Sequence, residues 1–322
     1  MVSIALDSAL LNNVKAKTAV ITGAAGGIGI EIVRLYASHG ANVVVADLER
    51  SRFAAESLIA TLPDPSRAIF AQANTLVWSE MKELFKIAIK TFGSVEVAVA
   101  NAGVMESHVT LDVETVDTSG DLLEATEAFK VIDVNVKGTL NTLRFGLHHM
   151  KDNTERFPDG SRGSIVLVIS TSGYVGGTGV AAYVSSKHAV TGLLRSSQLV
   201  AAQHDIRVNA VAPFVTPTKM VGFAKQWIDK GLPSNTTQQV AKVIAILSQD
   251  RERRGACYLG STCGPIIREM EFTQKALLGQ WLGDGVVHLM ASAGSFFASI
   301  GDILSPLLKP CIPEEAYHMR NF

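Results

Sequence analysis

One segment near the start of the chain limits its possible folds more than any other. Residues 18–22, TAVIT, form a short apolar run that ends in a glycine-rich turn, GAAGGIG. The next residues, IEIVRLYASHGA, place Ile30, Val33, Leu35 and Ala37 near helical spacing and stop at Gly40, a natural residue for a helix end. ANVVVAD then reads as a β-branched strand buried on both faces. Strand, glycine turn, helix and strand within ~30 residues make a βαβ unit.

The same alternation continues along the chain. A helix is expected at 51–61, a strand at 68–73, and an amphipathic helix in WSEMKELFKIAIKTFG, ending at Gly93. VEVAVANAG is another buried strand, and an acidic, irregular stretch runs from Glu106 to Thr118. One long helix is expected over 121–150, followed by a polar surface loop, KDNTERFPDGSRG. SIVLVIS and IRVNAVA read as strands on either side of a helix at 183–203. An amphipathic, mobile helix is expected at 217–231, carrying Phe223 and Trp227, then a helix near 236–249 and a last strand near 256–260.

Alternation of this kind implies an α/β class chain: a doubly wound parallel sheet, the Rossmann fold, with helices on both faces. The 322 residues would allow two domains at roughly 150 each, but no linker or repeat divides them. The expectation is one domain over 1–264 and an apolar C-terminal extension over 265–322.

A glycine turn between strand and helix lets phosphate approach the backbone, where the helix N-terminus offers unpaired N–H groups. Tight helix–strand packing also demands small residues, so the spacing Gly23-xxx-Gly27-x-Gly29 does not decide alone. Asp47 ends the second strand, 18 positions after the last glycine. A carboxylate there is placed to accept from an adenosine ribose and to repel a 2′-phosphate, although it could equally begin a loop. Arg50 and Arg52 follow and would suit NADP, yet Asp47 favours NAD.

Further along, AAYVSSKHAV begins a helix that places Tyr183 and Lys187 at i and i+4, on one face. A phenol with pKa ~10 is a poor base, and an ammonium one turn away favours the phenolate. Such a pair is also common in purely structural helices. His188 points roughly 100° away from Lys187 and reads as structural, and His148 and His149 read as helix surface.

Composition excludes several function classes. A net charge of −1 and the lack of a basic stripe argue against nucleic acid and against an anionic membrane surface. Cys257, Cys263 and Cys311 have neither CxxC spacing nor paired histidines, so neither a disulfide framework nor a zinc site is expected. The first residues lack a basic n-region, and the longest apolar stretch, 285–300, is short of the ~18 residues a membrane span needs. A cytoplasmic location is the expectation.

TGAAGGIG, Asp47, NAG at 101–103, Asn135 in VIDVNVKG, ISTSG, YVSSK and RVNAVAP together resemble the short-chain dehydrogenase/reductase superfamily, from about residue 15 to 264. The resemblance implies that Tyr183 is the general acid/base and that Lys187 lowers its pKa and bonds the nicotinamide ribose. It further implies Ser170 as the serine, with Ser172 as runner-up in the same turn, and Asn135 as the holder of a water that relays protons to Lys187. Gly23, Gly27, Ile28 and Gly29 would meet the cofactor in the turn. Asn101, Ala102 and Gly103 would line the adenosine side, and Pro213, Thr216 and Thr218 would lie near the carboxamide and pyrophosphate. Two positions depart from the pattern. Asn74 replaces an Asp beside the adenine amine, and Phe214 replaces a Gly after Pro213, so the nicotinamide loop is expected to run differently.

In such proteins the segment after the sixth strand closes over the substrate. Here it offers Phe214, Met220, Val221, Phe223 and Trp227, which imply a bulky apolar alcohol or ketone, such as a terpenoid, steroid-like or polyketide molecule, with Ser172, Phe214, Phe223 and Trp227 as its expected contacts. Phe223 and Trp227 would equally serve an ordinary packed helix face. In the extension, Trp281, Leu282, Val286, Val287, Leu289, Phe296 and Phe297 are too apolar to be left in water and suggest a lid or a subunit contact. An interfacial membrane helix ranks lower, because residues 276–308 contain no Lys or Arg. The leading expectation is a metal-independent NAD-dependent oxidoreductase for a secondary alcohol, as a homo-dimer or tetramer. An NADPH-dependent carbonyl reductase and a non-catalytic dinucleotide-binding redox sensor are the alternatives.

Overall fold

The computed structural model describes residues 2–177, 179–260 and 267–271, with isolated positions 277, 280, 283 and 285 beyond them. Residues 267–271, expected to open the apolar extension, instead join the sheet and its contacts, and the lid or subunit contact expected of Trp281 to Phe297 lies outside the described residues.

Nine strands form one sheet: β1 (Val2–Ile4), β2 (Thr18–Thr22), β3 (Asn42–Asp47), β4 (Ala68–Gln72), β5 (Val97–Ala100), β6 (Gly163–Val168), β7 (Ile206–Pro213), β8 (Cys257–Gly260) and β9 (Ile267–Glu269). Their spatial order is β1-β9-β8-β7-β6-β5-β2-β3-β4. From β4 through β8 every pairing is parallel, and β9 and β1 add an antiparallel edge. Every residue of β2, β5, β6 and β7 is buried, as strands covered on both faces must be. The doubly wound sheet expected from the alternation is present. The antiparallel edge is not legible beforehand, because β1 and β9 hold three residues each, too few for a period.

The helices are α1 (Gly27–Ser38), α2 (Arg52–Ala60), α3 (Trp78–Phe92), α4 (Thr126–Ile132), α5 (Gly138–Met150), α6 (Ala181–Ser196), α7 (Gln198–Gln203), α8 (Lys225–Ile228) and α9 (Thr237–Gln249). On one side of the sheet, Ile32, Val33 and Tyr36 of α1 share a core with Val240, Ile244 and Leu247 of α9. On the other, Met81, Leu84 and Phe85 of α3 pack with Leu143 and Phe145 of α5 and Val190 of α6. In α1 the buried stripe falls on Ile32, Val33, Tyr36 and Ala37, whereas Ile30 and Leu35 are half-buried.

Two expected elements differ. The helix foreseen over 121–150 starts only at Thr126, because Leu122 bridges back to Val116. It is also interrupted by a π-turn over Asp133–Lys137, which separates α4 from α5. The helix foreseen over 217–231 is a 3₁₀ turn, Lys219–Ala224, followed by the four residues of α8, with a kink at Val221 (φ −118°, ψ 31°). Gly222 in its middle weakens any continuous helix there. The side chains of Phe223 and Trp227 are outside the described residues.

The polar loop 151–162 is more than surface. Phe157 and Ser161 are buried, and Asp159 is the ion-pair partner of Arg207 (3.3 Å), whose side chain is 0% exposed. Arg207 also donates to Ser161 Oγ (3.1 Å) and to the Asp250 carbonyl (3.0 Å), and it lies over the Phe157 ring at 5.0 Å. A buried guanidinium needs such partners, and the loop folds inward to supply them.

Candidate active site

In an open parallel sheet, ligands bind outside the carboxyl ends of the strands where the winding reverses. Here that point lies between the neighbouring strands β2 and β5. The glycine turn leaves β2 there, and the NAG segment leaves β5.

Two glycines of the turn are required sterically. Gly23 has φ +64°, and a Cβ on it would sit 2.8 Å from Ala102 Cα. A Cβ on Gly29 would sit 2.3 Å from the Gly23 carbonyl oxygen. Asn101 braces the turn from the next strand, donating from Nδ2 to the carbonyls of Thr22 (3.0 Å) and Gly23 (2.9 Å). Thr22 Oγ1 in turn accepts from the N–H groups of Asn101 (3.2 Å) and Ala102 (3.3 Å). The N-cap of α1 is Gly26, with no side chain bonded to the helix N-terminus, and Ile28 lies in its first turn. Thr218 reaches over the turn, its Cγ2 only 3.2 Å from where a Cβ on Gly27 would stand.

Asp47 closes the site on the β3 side. Its Oδ2 accepts from the Ala25 N–H (3.0 Å) and its Oδ1 from the Leu48 N–H (2.8 Å), which fixes the carboxylate beside the turn. Arg52 is committed elsewhere, bidentate to Glu49 (2.6 and 2.9 Å) and bonded to Glu56. Asn74 uses its Oδ1 on the Leu76 N–H (3.0 Å), leaving one lone pair for an amine. A helix N-terminus without a side-chain cap, a turn that excludes Cβ atoms and a carboxylate at the strand end fit a dinucleotide, diphosphate on the turn and ribose on Asp47.

The proton-handling residues stand on three elements that meet beyond β5 and β6. Ser170 follows β6, is 9% exposed, and accepts from the Ser172 N–H at 3.1 Å. Tyr183 and Lys187 lie one turn apart on α6. Lys187 is buried, donates from Nζ to the Val168 carbonyl (2.9 Å), and lies 5.6 Å from the centre of the Tyr183 ring. Asn135 sits in the π-turn and is buried. Its Oδ1 accepts from the Val104 N–H (2.8 Å), and its Nδ2 donates to the Val104 carbonyl (2.8 Å) and to Ser186 Oγ (2.9 Å). Ser186 passes the link to the Tyr183 carbonyl at 2.7 Å. A Cβ on Gly103 would meet Asn135 Oδ1 at 3.2 Å and Lys187 Nζ at 3.7 Å, so the three residues converge. The π-turn brings Asn135 into this contact, and π-turns recur where a helix must aim one residue.

The electrostatics correct one expectation. Lys187 does not pull the Tyr183 phenol below its usual range. Burial pushes that phenol up, the hydrogen bond with Ser170 pulls it down, and the Glu106 carboxylate pushes it up again. Burial drives Lys187 down from 10.5 to about 8, which weakens the very charge that was to favour the phenolate.

Beyond Pro213, the last residue of β7, the chain continues for one residue in strand register. Phe214 needs no positive φ, and its N–H extends the strand by one bond to the Gly260 carbonyl (3.1 Å). Its carbonyl accepts from Thr216 Oγ1 (2.8 Å), so that hydroxyl is turned into the backbone and offers only its lone pairs. Of the two threonines, Thr218 is the one beside the glycine turn.

A cavity of about 440 Å³ opens at the start of α6, lined mainly by Met105, Glu106, His108, Val109, Val180 and Met220. Phe214 and Ser172 are not among its lining residues. Glu106 went unnoticed in sequence because its partners, Ala182 and Tyr183, are more than 70 residues away and no local spacing signals them. Ser186 and the Val168 carbonyl were missed for the same reason. His188 accepts no site role, its Nδ1 bonded to the Val184 carbonyl (3.0 Å), and His149 is stacked on Phe85 at 5.3 Å.

Known proteins resemble this chain in sequence and in fold. The family model described as "short chain dehydrogenase" matches residues 17–229. Short-chain dehydrogenase reductase 4 of Arabidopsis thaliana is 34% identical over 207 residues, 63% of this chain and 62% of the relative, so the match spans about three fifths of that protein's length. Xanthoxin dehydrogenase of the same plant is 36% identical over 206 residues, 63% of this chain and 67% of its own. In fold, the chain is similar to a 3-ketoacyl-(acyl-carrier-protein) reductase of Brucella melitensis, solved with NADH. The TM-score is 0.66 at 24% identity, covering 78% of this chain and 98% of that one.

Proposed function

This chain belongs to the short-chain dehydrogenase family of nicotinamide-dinucleotide oxidoreductases, and from that membership we propose that it transfers hydride between NAD and a secondary alcohol or ketone of a bulky apolar molecule. The observation that carries the proposal is the convergence of Tyr183, Lys187 and Ser170 beyond β6, together with a glycine turn held by Asp47 at the end of β3.

When bound, the dinucleotide supplies the hydride acceptor or donor. The chain's own residues do the rest. Ser170 is placed to hold the substrate oxygen while Tyr183 Oη takes or gives its proton. Lys187, fixed on the Val168 carbonyl, keeps a positive charge beside the phenol ring below its pKa of about 8. Asn135 clamps the segment after β5 to α6 through Ser186, which holds the proton-transfer group at its distance from the dinucleotide site. With both its amide atoms engaged, Asn135 acts here as a clamp.

NAD is favoured because Asp47 holds a fixed negative charge at the ribose position and Arg52 is engaged by two glutamates. The apolar substrate is supported by Met105, Val109, Val180 and Met220 in the cavity wall, and by a relative named for acting on xanthoxin. Phe129 and Leu140 remain exposed on α4 and α5, and a homo-oligomer that covers them is part of the proposal. No helix among the described residues is long and apolar enough to cross a membrane. The test is a panel of hydrophobic secondary alcohols and ketones offered with NAD(H) and NADP(H), with turnover read from nicotinamide absorbance.

A further inference from the structure

Helix α6 carries Tyr183 within its first turn, yet its N-cap is Val180, which has no side chain able to satisfy the first N–H groups. A distant residue does so. Glu106 is 5% exposed and accepts the Ala182 N–H on Oε1 (2.9 Å) and the Tyr183 N–H on Oε2 (3.0 Å). Thr110 Oγ1 donates to Oε1 as well, at 3.3 Å. The segment that bears Glu106 is anchored two residues earlier, where Asn135 grips both backbone groups of Val104.

We infer that Glu106 is a positioning residue for proton transfer: its carboxylate ties the first turn of α6 to the segment after β5, and so fixes Tyr183 against Ser170. The inference rests on the oxidoreductase reading for its catalytic meaning, but not for its structural content. Two backbone N–H groups held by one buried carboxylate leave α6 little freedom to rotate or fray at its start. Negative charge at a helix N-terminus is favourable, so the carboxylate is stable in its burial. Misplacement of a reacting group by ~1 Å can cost on the order of 100-fold in rate.

The same carboxylate has an electrostatic consequence. The groups around the phenol are Lys187 on its own helix, Ser170 from the turn after β6, and Glu106 from the facing segment. On α4, Glu127 is held by Ser107 and His108. Among these, Glu106 opposes ionisation of Tyr183. Its removal therefore moves the Tyr183 titration to lower pH. A group that served only packing would not do this.

The experiment compares full-length wild type, Glu106→Gln and Glu106→Ala by three readouts. Amide hydrogen exchange over the start of α6 should be faster in Glu106→Ala and intermediate in Glu106→Gln, which keeps one acceptor. Tyr183 ionisation, read by ultraviolet absorbance as a difference from Tyr183→Phe, should shift to lower pH in both variants. Where hydride transfer is measured, kcat in Glu106→Ala should fall by on the order of 100-fold, with dinucleotide binding unchanged. Wild-type exchange and a wild-type tyrosine titration in Glu106→Gln would overturn the inference. If Glu106→Ala does not fold, Glu106→Gln decides it alone. Absence of hydride transfer in wild type would instead overturn the oxidoreductase reading, while exchange and titration still decide the role of Glu106.

Discussion

Lys187 donates to the backbone carbonyl of Val168 at 2.9 Å, joining the helix that carries Tyr183 to the end of the strand that leads to Ser170. The bond holds a buried ammonium in place through a neutral backbone partner. Function here costs stability, because burial alone drives this lysine from 10.5 down to about 8.

Replacement of Lys187 by Met separates the two effects. Between pH 8 and 10.5 the unfolded chain binds the proton that the folded chain has released, so stability from this group rises with pH across that window. Below pH 8 the cost is present in full, on the order of 3 kcal/mol. The Lys187→Met variant should therefore melt no lower than wild type at neutral pH, lose the alkaline rise in stability, and lose hydride transfer. Thermal melts across that pH range check the first two. A Tm several degrees below wild type at pH 7 would contradict the account.

The glycine turn should tolerate little. In Gly29→Ala the new methyl meets the Gly23 carbonyl oxygen at 2.3 Å and Ala24 Cα at 2.8 Å, both backbone atoms that cannot rotate away. A loss of about 1–3 kcal/mol in chemical denaturation is expected, with NADH binding weakened further by displacement of the turn. Wild-type NADH affinity in this variant would show that the turn does not meet the cofactor.

Removal of the carboxylate at Asp47 should change cofactor choice. In Asp47→Ser the like-charge repulsion of a 2′-phosphate disappears, and the preference for NADP over NAD should rise by on the order of 100-fold. Arg50 is near in sequence, but Arg52 is engaged by Glu49 and Glu56, so full conversion should also require Glu49→Ala to release it. Binding titrations with both cofactors check this. An unchanged ratio in Asp47→Ser would place the ribose elsewhere.

At the opposite end of the strands, Arg207→Ala should cost about 3–5 kcal/mol in urea unfolding, because it removes the buried partner of Asp159 and leaves that carboxylate to the longer, half-exposed pair with Arg254 (3.6 Å). The dinucleotide site is remote from this network, so NADH affinity at low temperature should be retained. A loss under 1 kcal/mol would mean that the loop 151–162 does not depend on its buried cation.

What was legible in sequence was what local pattern encodes. The β-branched runs of β2, β3 and β5, the glycine turn and the i, i+4 pair Tyr183/Lys187 all carry their meaning within a few residues. What was not legible depends on pairings across the chain. Glu106 lies 77 residues from Tyr183, Asp159 lies in a loop whose polarity signals only solvent, and β9 makes sense only beside β8. The π-turn at Asn135 follows from the contacts that aim this residue at Val104 and Ser186, and DVNVK by itself reads as plain helix. The direction of the Tyr183 shift is not legible either, because spacing gives the distance to Lys187 but not the burial of both groups.

The central claim is that Tyr183 exchanges a proton with a substrate while hydride passes to or from a nicotinamide. The most direct measurement is nicotinamide absorbance during turnover by wild type and Tyr183→Phe, with NAD(H) and hydrophobic secondary alcohols and ketones run in both directions. The account predicts turnover in wild type that vanishes in Tyr183→Phe, with dinucleotide affinity equal in the two. Full turnover in Tyr183→Phe, or tight binding without turnover in wild type across the panel, would contradict it.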